Sequence, residues 1–144
     1  MSSVPLMALA IVVWFPSFLL CQSYGERDTG FRISLSRTPE APSVLAAALV
    51  TTSVYPCEGY QIRSMVTWEK DTISLHILGF TRPTPCIQGG SEATGNASLG
   101  SMPDSTFFIR ILYRGEIDLH KLGTRKKSLT IAPIRRAFTE LRGF

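Results

Sequence analysis

The amino-terminal 23 residues carry no charged side chain, and residues 4–20 form an almost continuous apolar run. A hydrophobic stretch of roughly 7–15 residues followed by small residues is typical of a secretory signal peptide. We therefore interpret residues 1–23 as a signal peptide, with cleavage after Ser23 or Gly25. This constrains the fold of the remaining chain, because an exported protein matures where its cysteines form disulfides.

Two alternatives concern the same segment. A membrane-spanning helix needs about 20 apolar residues, and Pro16 interrupts a run that is already shorter than that. A bacterial lipoprotein would be acylated on Cys21, although Leu20 stands where that processing uses a small residue. We expect a secreted or cell-envelope protein, in contact with a membrane only if Cys21 is acylated or the signal stays attached.

The chain after the signal has a length that fits one domain. We predict a short polar leader over residues 24–30 and a single domain over residues 31–144. Positive charge is concentrated at the carboxyl end, where residues 121–144 contain seven basic side chains and one acidic side chain.

A β-hairpin pattern lies between two cysteines. Residues 61–68 and 72–80 are rich in β-branched and aromatic side chains and are joined by a short polar link, as in a hairpin. Pairing about that link places Cys57 within a few residues of Cys86. A disulfide between them would close a long loop and stabilise the fold by roughly 3–4 kcal/mol.

The remaining elements follow from alternation, β-propensity and turn residues. We predict strands over residues 31–37, 107–113, 117–122 and 128–131. In the apolar stretch over residues 44–54 the alanines suit a helix and the β-branched residues suit a strand, and we favour a buried strand over its second half. Residues 88–101 are predicted to be a long Gly- and Ser-rich loop, with at most a short strand around residues 97–99. An amphipathic helix is predicted over residues 133–142, because apolar residues recur there at helical spacing: Ile134, Ala137, Phe138 and Leu141. The predicted fold class is all-β, an antiparallel β-sandwich of about six to seven strands with this helix at its C-terminus.

Residues 99–111 read Leu-Gly-Ser-Met-Pro-Asp-Ser-Thr-Phe-Phe-Ile-Arg-Ile. This stretch resembles the penultimate hairpin of immunoglobulin-like and fibronectin-like modules of secreted bacterial proteins. There a Leu-x-x-Gly-x-Tyr turn leads into an alternating strand; here Ser105 stands in place of the glycine, and Phe107 or Phe108 in place of the tyrosine. The resemblance covers about a quarter of the mature chain and implies an immunoglobulin-like sandwich without any particular chemistry.

The histidines are the candidate chemical groups. His120 lies near Glu116 and Asp118, and a cleft uniting these three with His76 would favour a small secreted hydrolase or a metal-dependent enzyme. We interpret Asp118 and His120 instead as part of a solvated polar strand face. We therefore assign no catalytic, cofactor-binding or metal-binding residue, and we expect no cofactor.

The carboxyl end offers a candidate contact for an anionic surface, formed by Arg125, Lys126, Lys127, Arg135, Arg136 and Arg142. Nucleic acid is disfavoured as its partner by export and by the absence of interleaved aromatic residues. The alternative is an ordinary surface turn and the solvent-exposed face of a helix.

A separate motif, Asn96-Ala97-Ser98, is an N-glycosylation sequon, which has meaning only in a eukaryotic secretory pathway.

These features favour a secreted or surface-attached, non-enzymatic β-sandwich module that binds an extracellular or cell-envelope protein or glycan. The secreted enzyme described above is one alternative. Another is an inhibitor or anionic-surface binder that acts through the basic carboxyl end.

Overall fold

The computed structural model describes residues 30–38, 44–101, 105–125 and 128–144, and of Arg125 it describes only the backbone. These residues form nine strands: β1 (Phe31–Arg37), β2 (Val44–Cys57), β3 (Gln61–Glu69), β4 (Thr72–Thr81), β5 (Gln88–Ser101), β6 (Phe107–Tyr113), β7 (Glu116–Arg125), β8 (Ser128–Arg135) and β9 (Thr139–Arg142). The described ranges contain no helix.

All nine strands belong to one sheet, in the order β8-β7-β6-β4-β3-β5-β2-β1-β9. Neighbours run antiparallel except for the pairs β4–β6, β3–β5 and β1–β9, which are parallel. The two ends of the sheet approach each other where the Leu129 amide donates to the Phe144 carbonyl oxygen at 3.4 Å. The sheet is therefore one nearly closed, barrel-like wall around a single interior.

Inward-facing side chains fill that interior. Alternate residues of each strand are buried, for example Phe31, Ile33 and Leu35 on β1, as the period of a strand requires. One part of the core is aromatic: the ring centroids of Phe31 and Tyr113 lie 4.9 Å apart in an edge-to-face arrangement, and Phe138 lies 6.2 Å from each. Such contacts add to the stability gained from burial.

Several local predictions are confirmed. Strand β1 and the two hairpins, β3–β4 and β6–β7, occur where they were predicted. The Cys57–Cys86 disulfide is also present, with a Cα–Cα distance of 5.2 Å. Each of these depends on residues close together in sequence, or on a hairpin that brings two residues together.

The predicted loop over residues 88–101 is wrong. These residues form β5, a 14-residue strand between β2 and β3. Glycine and serine weaken intrinsic strand propensity, but Ala93, Ala97 and Leu99 alternate as buried residues. Gly95 completes this inward row, and a Cβ atom there would lie 2.8 Å from the Cβ of Ile62. The small residues thus allow β5 to pass close to β3.

The predicted helix over residues 133–142 is also wrong. Strand β8 continues through Pro133 to Arg135, and Thr139–Arg142 forms β9, parallel to β1. Residues assigned to the apolar helix face do not share one side: Ile134 is 56% exposed, whereas Phe138 packs against Phe31. The free edge of β1 offers backbone partners, and strand pairing there outweighs the helical periodicity.

The predicted sandwich of six to seven strands is contradicted by the nine strands of one nearly closed sheet. The added strands account for the difference. β5 fills the position between β2 and β3, and β9 extends the sheet beyond β1 towards β8. Once these join, the sheet curls onto itself and its inward rows pack against one another.

Replacing both cysteines, Cys57→Ala and Cys86→Ala, should lower the free energy of unfolding by about 3–4 kcal/mol. The disulfide joins two residues 29 positions apart, and so restricts the loop between them in the unfolded chain. Urea unfolding followed by circular dichroism measures this difference. The wild-type protein under reducing conditions is the control and should match the double variant. A loss below about 1 kcal/mol would contradict the stabilising role of the disulfide.

Candidate functional site

The Asp118 carboxylate occupies the seam where the sheet closes. Asp118 lies on β7, is fully buried, and faces the residues that lead into β9. Its Oδ1 accepts a hydrogen bond from the Ala137 amide at 2.6 Å, and its Oδ2 accepts from the amides of Phe138 at 3.1 Å and Thr139 at 2.8 Å. The Thr139 hydroxyl donates to the same Oδ2 at 2.6 Å. The carboxylate thus accepts hydrogen bonds from three consecutive backbone amides, the last of which begins β9.

Two opposing effects set the pKa of Asp118. Burial raises the pKa, because removing a carboxylate from water disfavours its charge. The hydrogen bonds from the Thr139 hydroxyl and from the amides of Ala137, Phe138 and Thr139 lower it, and together they outweigh burial, so that the pKa lies below its ordinary value. The group is therefore an ionised, fully engaged acceptor at neutral pH.

His120, two residues along β7, completes this buried group. Its Nε2 lies 3.2 Å from the Thr139 Oγ1. Because the single hydroxyl proton of Thr139 is donated to Asp118, His120 Nε2 must be the donor in that contact. His120 Nδ1 is buried without a hydrogen-bond partner, as expected for a neutral ring that bears its proton on Nε2.

The pKa of His120 is lowered, first by burial and also by the charge of Arg136, while the negative charge of Asp118 opposes both. The imidazole is therefore neutral at physiological pH. Asp118 and His120 do not form the solvated strand face that we predicted: both are buried on the inner side of the sheet. Their polar side chains are used to close it.

A hydroxyl, an imidazole and a carboxylate thus lie in one hydrogen-bonded group, but the direction of the protons does not suit nucleophilic catalysis. In an activated hydroxyl, the imidazole accepts the hydroxyl proton and the carboxylate orients the imidazole. Here the carboxylate accepts the Thr139 proton directly, and all three side chains are shielded from solvent. The arrangement satisfies buried polar groups.

The other two residues of the predicted enzyme lie elsewhere. Glu116 is exposed at the start of β7. His76 is on the outward row of β4, where its Nε2 lies 3.4 Å from the Thr67 Oγ1. The described residues contain no group of three His, Cys, Asp or Glu side chains able to hold a metal ion.

The described residues of the predicted basic surface do not form one cluster. Arg135 and Arg136 are exposed at the end of β8, and Arg142 pairs with Glu140 at 2.7 Å. The backbone of Arg125 lies at the opposite end of the β7–β8 hairpin, roughly 25 Å away at strand spacing. Cys21, Lys126, Lys127 and the Arg125 side chain lie outside the described residues.

Sequence reasoning missed a surface on the outside of the sheet. Four outward residues on neighbouring strands form a register row, Met65–His76–Leu112–Ile117. The next row contains Thr67, Ser74, Arg110, Leu119 and Arg135. We call these two rows, with Arg63, Leu78, Lys121 and Ile134 beside them, the outer wall. A signal existed in the apolar residues at outward positions of β6 and β7, but it required the strand order to be read.

The outer wall combines exposed apolar side chains with positive charge. Met65, Leu78 and Ile134 are 48%, 56% and 56% exposed. The basic side chains of the outer wall are Arg63, Arg110, Lys121 and Arg135. None of them forms an ion pair with a carboxylate of the described residues. The two rows contain no acidic residue. Glu69, at the end of β3, lies in the same register row as Lys121, with Thr72 and Phe108 between them.

The adjoining part of the sheet differs. Most central outward positions of β1, β2 and β5 carry small or polar side chains, and we call them the polar face: Ser34, Ser36, Ala46, Ala48, Thr94, Asn96 and Ser98. Val50, between Arg32 and Thr94 in register, is an apolar residue beside them. The charges beside it are paired, Arg32 with Glu92 and Arg142 with Glu140. The molecule therefore presents two chemically distinct sides.

Comparison with protein-family models, with curated proteins and with solved structures finds no match. Within the described part of the chain, no helix is long and apolar enough to cross a membrane.

The substitution Asp118→Asn should lower the free energy of unfolding by about 3 kcal/mol. The carboxylate accepts four hydrogen bonds, and in asparagine one of its oxygens is replaced by an NH₂ group whose two N–H donors face the donors that surround it. Urea unfolding measures the loss. Glu116→Gln, an exposed change of the same chemistry on the same strand, is the control and should alter stability by less than about 0.5 kcal/mol. Equal effects of the two changes would exclude the closing role of Asp118.

Stability should decrease on acidification in two stages. The pKa of His120 is lowered in the folded protein, so the folded ring stays neutral when the pH falls through 6.5, the ordinary value of the unfolded chain. The unfolded state takes up a proton there first. The free energy of unfolding therefore falls by up to about 1.4 kcal/mol per pH unit. Asp118 contributes stability that is present above 3.8, the ordinary pKa of the unfolded chain, and is lost as the pH falls through its lower folded value. Urea midpoints between about pH 7 and pH 3 measure both stages.

His120→Gln should remove the first stage of this acid response and retain the second. His76→Gln, the same substitution on the outer wall, is the matched control and should retain both stages. If the slope above pH 5 survives in the His120 variant, that histidine does not cause it.

Proposed function

We propose that this protein is an exported, non-enzymatic binding module whose outer wall contacts an acidic extracellular protein. The observation that carries the proposal is the composition of that wall. Exposed apolar side chains lie beside cations that form no ion pair with a carboxylate of the described residues, and the two register rows contain no acidic residue. The Cys57–Cys86 disulfide supports export, because it is compatible with an oxidising compartment.

The exposed apolar residues favour a macromolecular partner. Burial of Met65, Leu78 and Ile134 in a complex would favour binding by about 25 cal/mol per Å² of apolar surface removed from water. Methionine and arginine are both enriched where proteins bind one another. The wall is also built on strands, whose fixed side-chain spacing reduces the entropy lost on binding.

The charges indicate the character of the partner. A second copy bound through the same wall would bring Arg110 and Arg135 towards their own equivalents, and like charges in an interface oppose association. An acidic partner would pair with these side chains instead. Because the wall belongs to a nearly closed sheet, it is convex, and a concave protein surface contacts more of it than a flat bilayer does.

The buried polar group supports a non-enzymatic role. Asp118, Thr139 and His120 are the residues most similar to a catalytic set, and their hydrogen bonds are used to hold the closing seam. A substrate could reach them only if that seam opened. Binding through the outer wall requires no such rearrangement.

Site-specific photo-crosslinking tests this function. A diazirine amino acid is placed at Leu78 on the outer wall or at Ser34 on the polar face, and each oxidised protein is irradiated in the extracellular fluid of its source. We expect Leu78, and not Ser34, to capture one protein whose surface is acidic. Arg135→Glu should weaken capture at least about tenfold, equivalent to about 1.4 kcal/mol.

Arg37→Glu, which reverses an exposed charge on β1, is the matched control and should leave capture unchanged. Added salt should reduce capture, because it screens exposed charges. Adducts with lipid in place of protein would assign the wall to a membrane surface and overturn the proposal. Equal labelling from both positions, or a captured protein without acidic surface, would do so as well.

A further inference from the structure

The chain contains a single asparagine, Asn96, and it begins the tripeptide Asn96-Ala97-Ser98. Asn-x-Ser is the acceptor sequence for N-linked glycans in eukaryotic secretion. The tripeptide lies within β5, and no role in the closing seam or the outer wall involves it. Its place in the fold therefore decides whether a glycan can be accommodated.

The backbone of β5 directs Asn96 outwards. Ala97, the middle residue of the tripeptide, is 9% exposed and faces the interior, whereas Asn96 and Ser98 on either side of it are exposed. Gly95 holds this orientation, because its backbone lies against Ile62 of β3 and leaves no space for an added Cβ atom. A glycan on Asn96 would thus extend into solvent, away from the core.

The surroundings of Asn96 leave room for a sugar. Its register partner on β2 is Ala48, and the partner of Ala48 on β1 is Ser34. Along β5 its outward neighbours are Thr94 and Ser98. These side chains are short. On the other side, β3 runs parallel to β5 with Gln61 opposite Thr94, which places the exposed Arg63 of the outer wall beside Asn96 in register. No described residue forms a hydrogen bond with the Asn96 amide.

We propose that Asn96 carries an N-linked glycan that covers the polar face. The co-reactant is a lipid-diphosphate-linked oligosaccharide. The bond between the sugar C1 and the diphosphate oxygen breaks, and a bond between C1 and the Asn96 Nδ2 forms. Nδ2 loses one proton, and the lipid diphosphate leaves with the electron pair of the broken bond.

The topology also sets the order of events. In the folded protein, β5 is held between β2 and β3, so its backbone cannot enter an enzyme's acceptor cleft. Transfer therefore precedes the pairing of β5, and the glycan stays outside as the sheet closes. It covers the polar face up to its border with the outer wall, which begins on the neighbouring strand β3. This inference depends on export through a eukaryotic secretory pathway and not on the identity of the acidic partner.

The test is secretion of the full chain from a eukaryotic host, with the intact mass measured before and after peptide N-glycosidase. Secreted and cell-associated protein are both analysed, so that retention in the cell does not hide the modification. We expect a loss of glycan mass on enzyme treatment, together with conversion of residue 96 to aspartate. Asn96→Gln and Ser98→Ala should abolish the mass difference, and Ser98→Thr should retain it.

Asn96→Gln protein should have the same circular dichroism spectrum and thermal midpoint as enzymatically deglycosylated wild type, because the side chain faces solvent. Asn96 without glycan in both the secreted and the cell-associated protein would overturn the proposal. A mass difference that persists in Asn96→Gln would also overturn it, because the sugar would then be attached elsewhere.

Discussion

The hydrogen bonds received by Asp118 are the interaction on which the closed sheet depends. A sheet that curls onto itself must join its last strands to its first, and here the backbone amides of Ala137, Phe138 and Thr139, where β9 begins, donate to one side chain. One carboxylate from β7 accepts all three. This contact places Phe138 in the aromatic core and starts β9 alongside β1. Without it, buried amides would be left unsatisfied at considerable cost.

Closure also gives the molecule its two sides. Because all inward rows meet in one interior, every outward row is available to solvent or to a partner. The two central outward rows on β3, β4, β6, β7 and β8 are apolar and cationic, whereas most central outward positions on β1, β2 and β5 carry small or polar side chains. An acidic protein on the first side and a glycan on the second are the two proposals that this division supports. The two surfaces adjoin where β5 lies beside β3, with Arg63 of the outer wall next to Asn96 in register.

The successes and errors of sequence reasoning divide by the range of the interactions. The hairpins were predictable, because their turns and their alternating residues are neighbours in the chain, and the disulfide followed from the first hairpin. Strand β5 was missed because its small residues have low strand propensity, and only the close approach of Ile62 to Gly95 explains their presence. The helix was predicted from four apolar residues whose spacing was accidental. The polar residues Asp118 and His120 were expected in solvent, since their burial depends on Thr139 from a distant strand.

The sequence by itself determined the local elements: strand alternation, two hairpins, a cysteine pair and an acceptor tripeptide for a glycan. These depend on backbone and side-chain preferences that act over a few residues. The tertiary structure alone decided that the strands form one nearly closed sheet, that a carboxylate closes it, and that apolar and cationic residues share one wall. Those outcomes arise from contacts between strands far apart in the chain, whose partners are selected by packing and by the need to satisfy buried amides.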